Sequence, residues 1–142
     1  MAKRILMPLG NASDHPAAEL VRAAAREQGS TVRLMRVMPV PTHAVDDYGR
    51  TVVYADQEMA SLTARGLADM RVAESQLEGV PVERVVRFGE PVQEILTEAE
   101  AFHADLIVLT TGHRSRLESA LRPGVGERVL READVPVLLL RE

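Results

Sequence analysis

Near the end of the chain, Thr111, Gly112, Arg114, Ser115, Arg116, Arg122, Gly124, Val125 and Gly126 stand between two apolar stretches and supply the groups that bind anions. Glycine lets a backbone approach a phosphate closely, and a helix beginning at Val125 would present first-turn N–H groups that have no partner within the helix. The donors on offer are the amides of Gly112, Val125 and Gly126, the Ser115 hydroxyl, and the guanidinium groups of Arg114, Arg116 and Arg122. Such a set recognises a phosphate and breaks no bond by itself.

Other constellations carry less chemistry. His15, His43, His103 and His113 lack metal-ligand spacing, and no metal is expected. Ser115 follows His113 by two residues but has no Gly-x-Ser-x-Gly elbow around it, so it reads as a turn former. Glu118, Glu127 and Glu132 interleave with the arginines, including Arg128 and Arg131, as on a solvated, salt-bridged surface. Asp46, Asp47, Asp56 and Glu58 read as a solvated lid rather than a magnesium site.

Composition narrows the classes further. The 142 residues suffice for one well-cored domain over 1–142. With 17 basic and 21 acidic side chains there is no electrostatic footprint for nucleic acid. The absence of cysteine excludes disulfides, thiolate metal sites and cysteine nucleophiles, and fits a reducing cytoplasm. The apolar runs Leu106–Leu109 and Val135–Leu140 fall far short of the ~18 residues of a membrane span. The start MAKRILMPLGNASD is too short in apolar residues for a signal peptide, so a cytoplasmic location is expected.

The elements that must position the anion loop alternate regularly. Strands are expected at Arg4–Leu9, Thr31–Val37, Val82–Phe88, Leu106–Thr110 and Val137–Leu140. The first helix is capped from Asn11, Ser13 and Asp14 and carries Ala17, Leu20, Val21, Ala24 and Gln28 at helical spacing up to Gly29. Met38–Val53 reads as an irregular mobile loop. A single long helix should then run from Tyr54 to about Glu78, burying Met59, Leu62, Gly66, Leu67, Met70, Ala73 and Leu77. Val92, Ile95, Leu96, Ala99 and Phe102 mark the next buried helical face, and Val125–Glu132 the last helix. The methionines at 7, 35, 38, 59 and 70 read as core filler. Strands apolar on both faces alternating with helices imply a doubly wound parallel α/β sheet covered on both sides. Ligands of such sheets bind outside the carboxyl ends of the strands, where the strand order reverses.

The segments RILMPL, RLMRVMPV, VVRFGEPVQEILTEAEAFHADLIVLTTG and GERVLREADVPVLLLRE, in that order, resemble the universal stress protein family over the whole chain. The resemblance implies a five-stranded sheet ordered 3-2-1-4-5. It also implies a homodimer through the closing strand Val135, Pro136, Val137, Leu138, Leu139, Leu140 and Arg141, and an ATP or AMP site walled by Pro8, Leu9, Gly10, Val37, Thr111, Gly112, Arg114, Ser115, Gly124, Val125 and Gly126. The family's loop reads Gly-x-x-Gly, nine residues, Gly, then Ser or Thr. Here Gly112 matches, Ser115 replaces the second glycine, seven residues follow (Arg116–Arg122), and Pro123-Gly124 stands for Gly-Ser. Gly10 replaces the aspartate that nucleotide-binding members usually carry after the first strand.

The expected function is a cytoplasmic, dimeric stress-response module without turnover and with a degenerate adenine-nucleotide loop. The alternatives are an interaction-only dimer that binds no nucleotide and, less well supported by the residues, a slow ATPase. A phosphoryl-receiver reading fails, because Gly10-Asn11 and Phe88-Gly89 stand where its acids are needed.

Overall fold

The computed structural model describes residues 3–10, 17–41, 44–45, 47–53, 55–111 and 124–141. Its elements run β1 (Arg4–Pro8), α1 (Ala17–Gln28), β2 (Thr31–Met38), β3 (Ala44–Val45), β4 (Thr51–Val53), α2 (Ala55–Asp69), α3 (Arg71–Gln76), β5 (Val82–Phe88), α4 (Pro91–Phe102), β6 (Leu106–Thr111), α5 (Val125–Glu132) and β7 (Val137–Arg141). The main sheet is parallel, in the order β5-β2-β1-β6-β7. Numbering its strands alone, this is the expected 3-2-1-4-5 order.

Alternation along the strands sends side chains to two cores. Ile5, Met7, Val32, Leu34 and Val108 pack with α1 and α3. Leu6, Met35, Ile107 and Leu109 pack with α4 and α5. Both faces are covered, which is why these strands read as continuous apolar runs.

Four sequence expectations need correction. The segment between β2 and α2 contains the short antiparallel pair β3–β4 rather than only irregular loop. The long middle helix is two helices, broken at Met70, whose backbone (φ −85, ψ −5) redirects the chain so that Met70, Ala73 and Leu77 are buried beneath α1. Met59 consequently sits on an exposed part of α2 and fills no core. On α1 the buried stripe is Ala17, Ala18, Val21 and Ala25, while Leu20 is 55% exposed. Small residues let the helix lie close to the sheet. The capping residues expected before α1 lie outside the described residues.

Gly66 allows a close approach of another kind. A Cβ there would stand 2.8 Å from Val86 Cγ2 and 3.2 Å from Met38 Cε. Valine in a strand has little rotameric freedom to yield. Nearby Arg36 has its Nε buried without a partner and its Nη2 at 3.9 Å from Asp69. Burial lowers its pKa, an effect Asp69 opposes. Gly66→Ala should therefore lose stability. Overpacking costs about 1–3 kcal/mol, against about 1 kcal/mol gained in helix propensity. A urea midpoint above wild type would contradict this packing.

Candidate functional site at the carboxyl ends of β1 and β6

The strand order reverses between β1 and β6, and the two strands are held together unequally along their length. At their amino ends the Asp105 carboxylate accepts from the Lys3 and Arg4 amides, both at 2.9 Å, and the Asp105 amide donates to the Arg4 carbonyl at 2.8 Å. The β1–β6 register then covers Ile5↔Leu106 and Leu6↔Ile107, whereas β1–β2 extends from Arg4↔Thr31 to Pro8↔Met35.

Pro8 explains the difference. The Leu9 amide donates to the Met35 carbonyl of β2 at 2.8 Å. Successive strand amides face opposite sides, so the position before it faces β6, and proline has no N–H to give. The strands are clamped at their amino ends, and the pairing between them stops at Leu6↔Ile107, before Pro8.

The described residues among the expected wall lie at the carboxyl ends of these strands and at the start of α5. Pro8 and Leu9 are buried at the end of β1, and Gly10 follows half-buried. Val37 lies two residues past Met35, the partner of Pro8, so β2 overhangs the end of β1 there. Thr111 closes β6 opposite Arg141. Gly124 caps α5 at φ 87, a left-handed backbone that favours glycine. Val125 and Gly126 are buried in the first turn, and the Arg128 amide donates to the Gly124 carbonyl at 3.1 Å. The amides of Val125, Gly126 and Glu127 precede that first helical bond and have no partner within the helix. Gly112, Arg114 and Ser115 lie outside the described residues.

Other residues that shape the site left weaker traces in the sequence. Glu90 caps α4 by accepting from the Gln93 amide at 2.8 Å, and its other oxygen meets Arg128 Nη1 at 3.1 Å, tying α4 to the first turns of α5. The bond from the Gln93 amide is the main reason the Glu90 carboxyl titrates below its ordinary range. Arg128 also reaches Glu132 at 3.4 Å, so it is engaged in the salt-bridged surface expected for it. Among the described residues no group of three or more His, Asp or Glu could hold a metal, and no helix is long and apolar enough to cross a membrane.

The Asp105 clamp gives a pH prediction. Amide bonds from Lys3 and Arg4 hold its carboxyl below the usual carboxylate range. A depressed folded-state pKa contributes stability that is present above the unfolded value of about 4 and is lost as pH falls through the folded value. Asp105→Asn keeps an acceptor and removes the charge. Its melting temperature should lie below wild type at pH 7, and the gap should narrow in acid, as pH falls from the ordinary aspartate value through the lowered one. An equal gap at both pH values would contradict the clamp.

The sequence profile described as the Universal stress protein family matches residues 1–141. The chain belongs to the universal stress protein family. A universal stress protein of Thermus aquaticus, from the QAH/OAS sulfhydrylase 3′ region, is 30% identical over 145 residues, covering 99% of this chain and all of that one. Universal stress protein MJ0531 of Methanocaldococcus jannaschii is 39% identical over 64 residues, 45% of this chain and 38% of the relative. Two solved structures share the fold. A universal stress protein in complex with cAMP has TM-score 0.68 at 16% identity, covering 98% and 97% of the two chains. The Archaeoglobus fulgidus universal stress protein in complex with dAMP has TM-score 0.64 at 18% identity, covering 96% of each.

Proposed function

We propose that this universal stress protein is a cytoplasmic, non-enzymatic homodimer of the stress response that holds an adenine nucleotide between the carboxyl ends of β1 and β6. The observation that carries this reading is the end of the β1–β6 pairing before Pro8, at the end of the sheet where α5 begins at Gly124 with first-turn amides that have no partner within the helix. The adenine nucleotides held by two structural relatives give the ligand class. Gly10 supplies no carboxylate, so binding should not require magnesium.

Isothermal titration with AMP and with ATP, each with and without magnesium, tests the reading. The expected result is saturable binding of similar strength in both conditions, with no phosphate released from ATP. No heat of binding at millimolar nucleotide would overturn it.

The homodimer, common to this reading and to the alternative of a dimer that binds no nucleotide, is supported by the contrast between the sheet edges. Edge strand β5 is guarded by charged pairs, Arg33–Glu83, Arg84–Glu74 and Arg87–Glu94. Edge strand β7 is apolar, with Leu138 42% exposed, and Leu130 on neighbouring α5 is 51% exposed. Pairing of two such edges through Val135–Arg141 would cover both leucines. In sedimentation the wild type should run as a dimer and Leu138→Lys as a folded monomer.

A further inference from the structure

At the opposite end of the sheet from the crevice, α4 and the connection from α5 to β7 enclose a groove of about 600 Å³ that is open to solvent. Its floor is Ile107, Ala99 and Ala104, all buried. Leu96, Ala133 and Val135 are half-buried apolar walls packed on the core beneath. Glu100, Glu132 and Asp134 are exposed and form the rim. None of the described lining residues is lysine or arginine. Glu132 meets Arg128, while Glu100 and Asp134 form no ion pair among the described residues.

The recess therefore has an apolar floor, polar walls that include Gln93, Thr97 and His103, and an acidic edge. An anionic occupant would be repelled by the three carboxylates. A second copy would bring the same acidic rim and the same net charge of −4. A chain presenting an apolar side chain beside lysine or arginine satisfies both parts, since the apolar group fills the space between Leu96 and Val135 while the cations meet Glu100 and Asp134. We propose that this groove docks a basic segment of a partner protein that inserts one apolar side chain between α4 and the start of β7. The area is far below that of a standard stable interface, so the contact should be weak and transient.

The test titrates the full-length, 15N-labelled protein with a ten-residue peptide carrying one leucine among lysines and arginines. Two control peptides exchange the basic residues for glutamate or the leucine for glycine. The expected result is saturable shifts at the amides of Leu96, Glu100, Ala133 and Val135 with the basic leucine peptide alone, weakened several-fold between 50 and 300 mM salt as the Debye length shortens from about 14 to about 6 Å. Glu100→Lys with Asp134→Lys alters two exposed residues, so the dispersed amide spectrum should persist while affinity falls about tenfold, equivalent to about 1.4 kcal/mol. Equal binding of the acidic peptide would overturn the proposal, as would unchanged affinity in the folded double variant or shifts centred elsewhere. Shifts at Leu96 and Glu100 that depend on protein concentration without peptide would assign the groove to a second copy and equally overturn it.

Discussion

Leu6→Ala should lower the unfolding free energy by about 3–5 kcal/mol. Leu6 is fully buried on the central strand β1, between β2 and β6, and its side chain belongs to the core formed with Met35, Ile95, Ile107 and Leu109. Truncation removes most of the transfer energy of a leucine, about 2 kcal/mol. It also leaves a cavity between a sheet and two helices that are held by other contacts and cannot collapse into it. Domains of this size have about 5–15 kcal/mol in total, so the variant should be close to unfolding at 37 °C. Urea titration should show a lower midpoint with an unchanged slope. A loss below about 1 kcal/mol would mean that β1 is not the packed centre of the molecule.

The second large effect is expected at Glu98, a carboxylate only 3% exposed on the buried face of α4. Its Oε2 lies 2.5 Å from Arg33 Nη1 and its Oε1 3.0 Å from Arg87 Nη1. Arg33 also stacks its guanidinium over the Phe102 ring at 4.1 Å, so the cluster joins β2, β5 and α4. Breaking a buried ion pair costs about 3–5 kcal/mol when an uncompensated charge remains. Here each arginine keeps a second carboxylate, Arg33 that of Glu83 at 2.7 Å and Arg87 that of Glu94 at 2.8 Å. Burial acts to lower the pKa of Arg33, yet its bonds to Glu83 and Glu98 hold it above the ordinary value. For Arg87 the bond to Glu94 is the main cause of an upward shift. Glu98→Ala should therefore cost about 2 kcal/mol, below the range for a fully stranded charge. A loss under about 0.5 kcal/mol in chemical denaturation would show the cluster to be as weak as an exposed pair.

The strand–helix alternation was legible because the central strands β1 and β6 are apolar on both faces, as Leu106–Leu109 illustrates. Leu20 misled because α1 is rich in alanine, and periodicity cannot choose a buried face when two registers fit it equally. The sheet chose the one with smaller side chains, Ala17, Ala18 and Ala25. The β3–β4 pair is only two and three residues long, too short for its pattern to outweigh nearby Pro39, Pro41 and Gly49. Pro8 was legible as the end of a strand. Its further consequence depends on which neighbour its missing N–H would have faced, which only tertiary pairing decides. Glu98 did leave a signal, an acid three residues after Ile95 on an otherwise apolar stripe, with Arg33 and Arg87 available on strands to meet it.

The adenine nucleotide is proposed to sit beyond the end of the β1–β6 pairing, against the first turn of α5. The most direct measurement is an amide NMR titration of the full chain with AMP. The account predicts saturable shifts at Leu9, Gly10, Val125 and Gly126, with Glu100 and Val135 at the far end of the sheet unmoved. Shifts confined to the far end, or none at millimolar AMP, would contradict it.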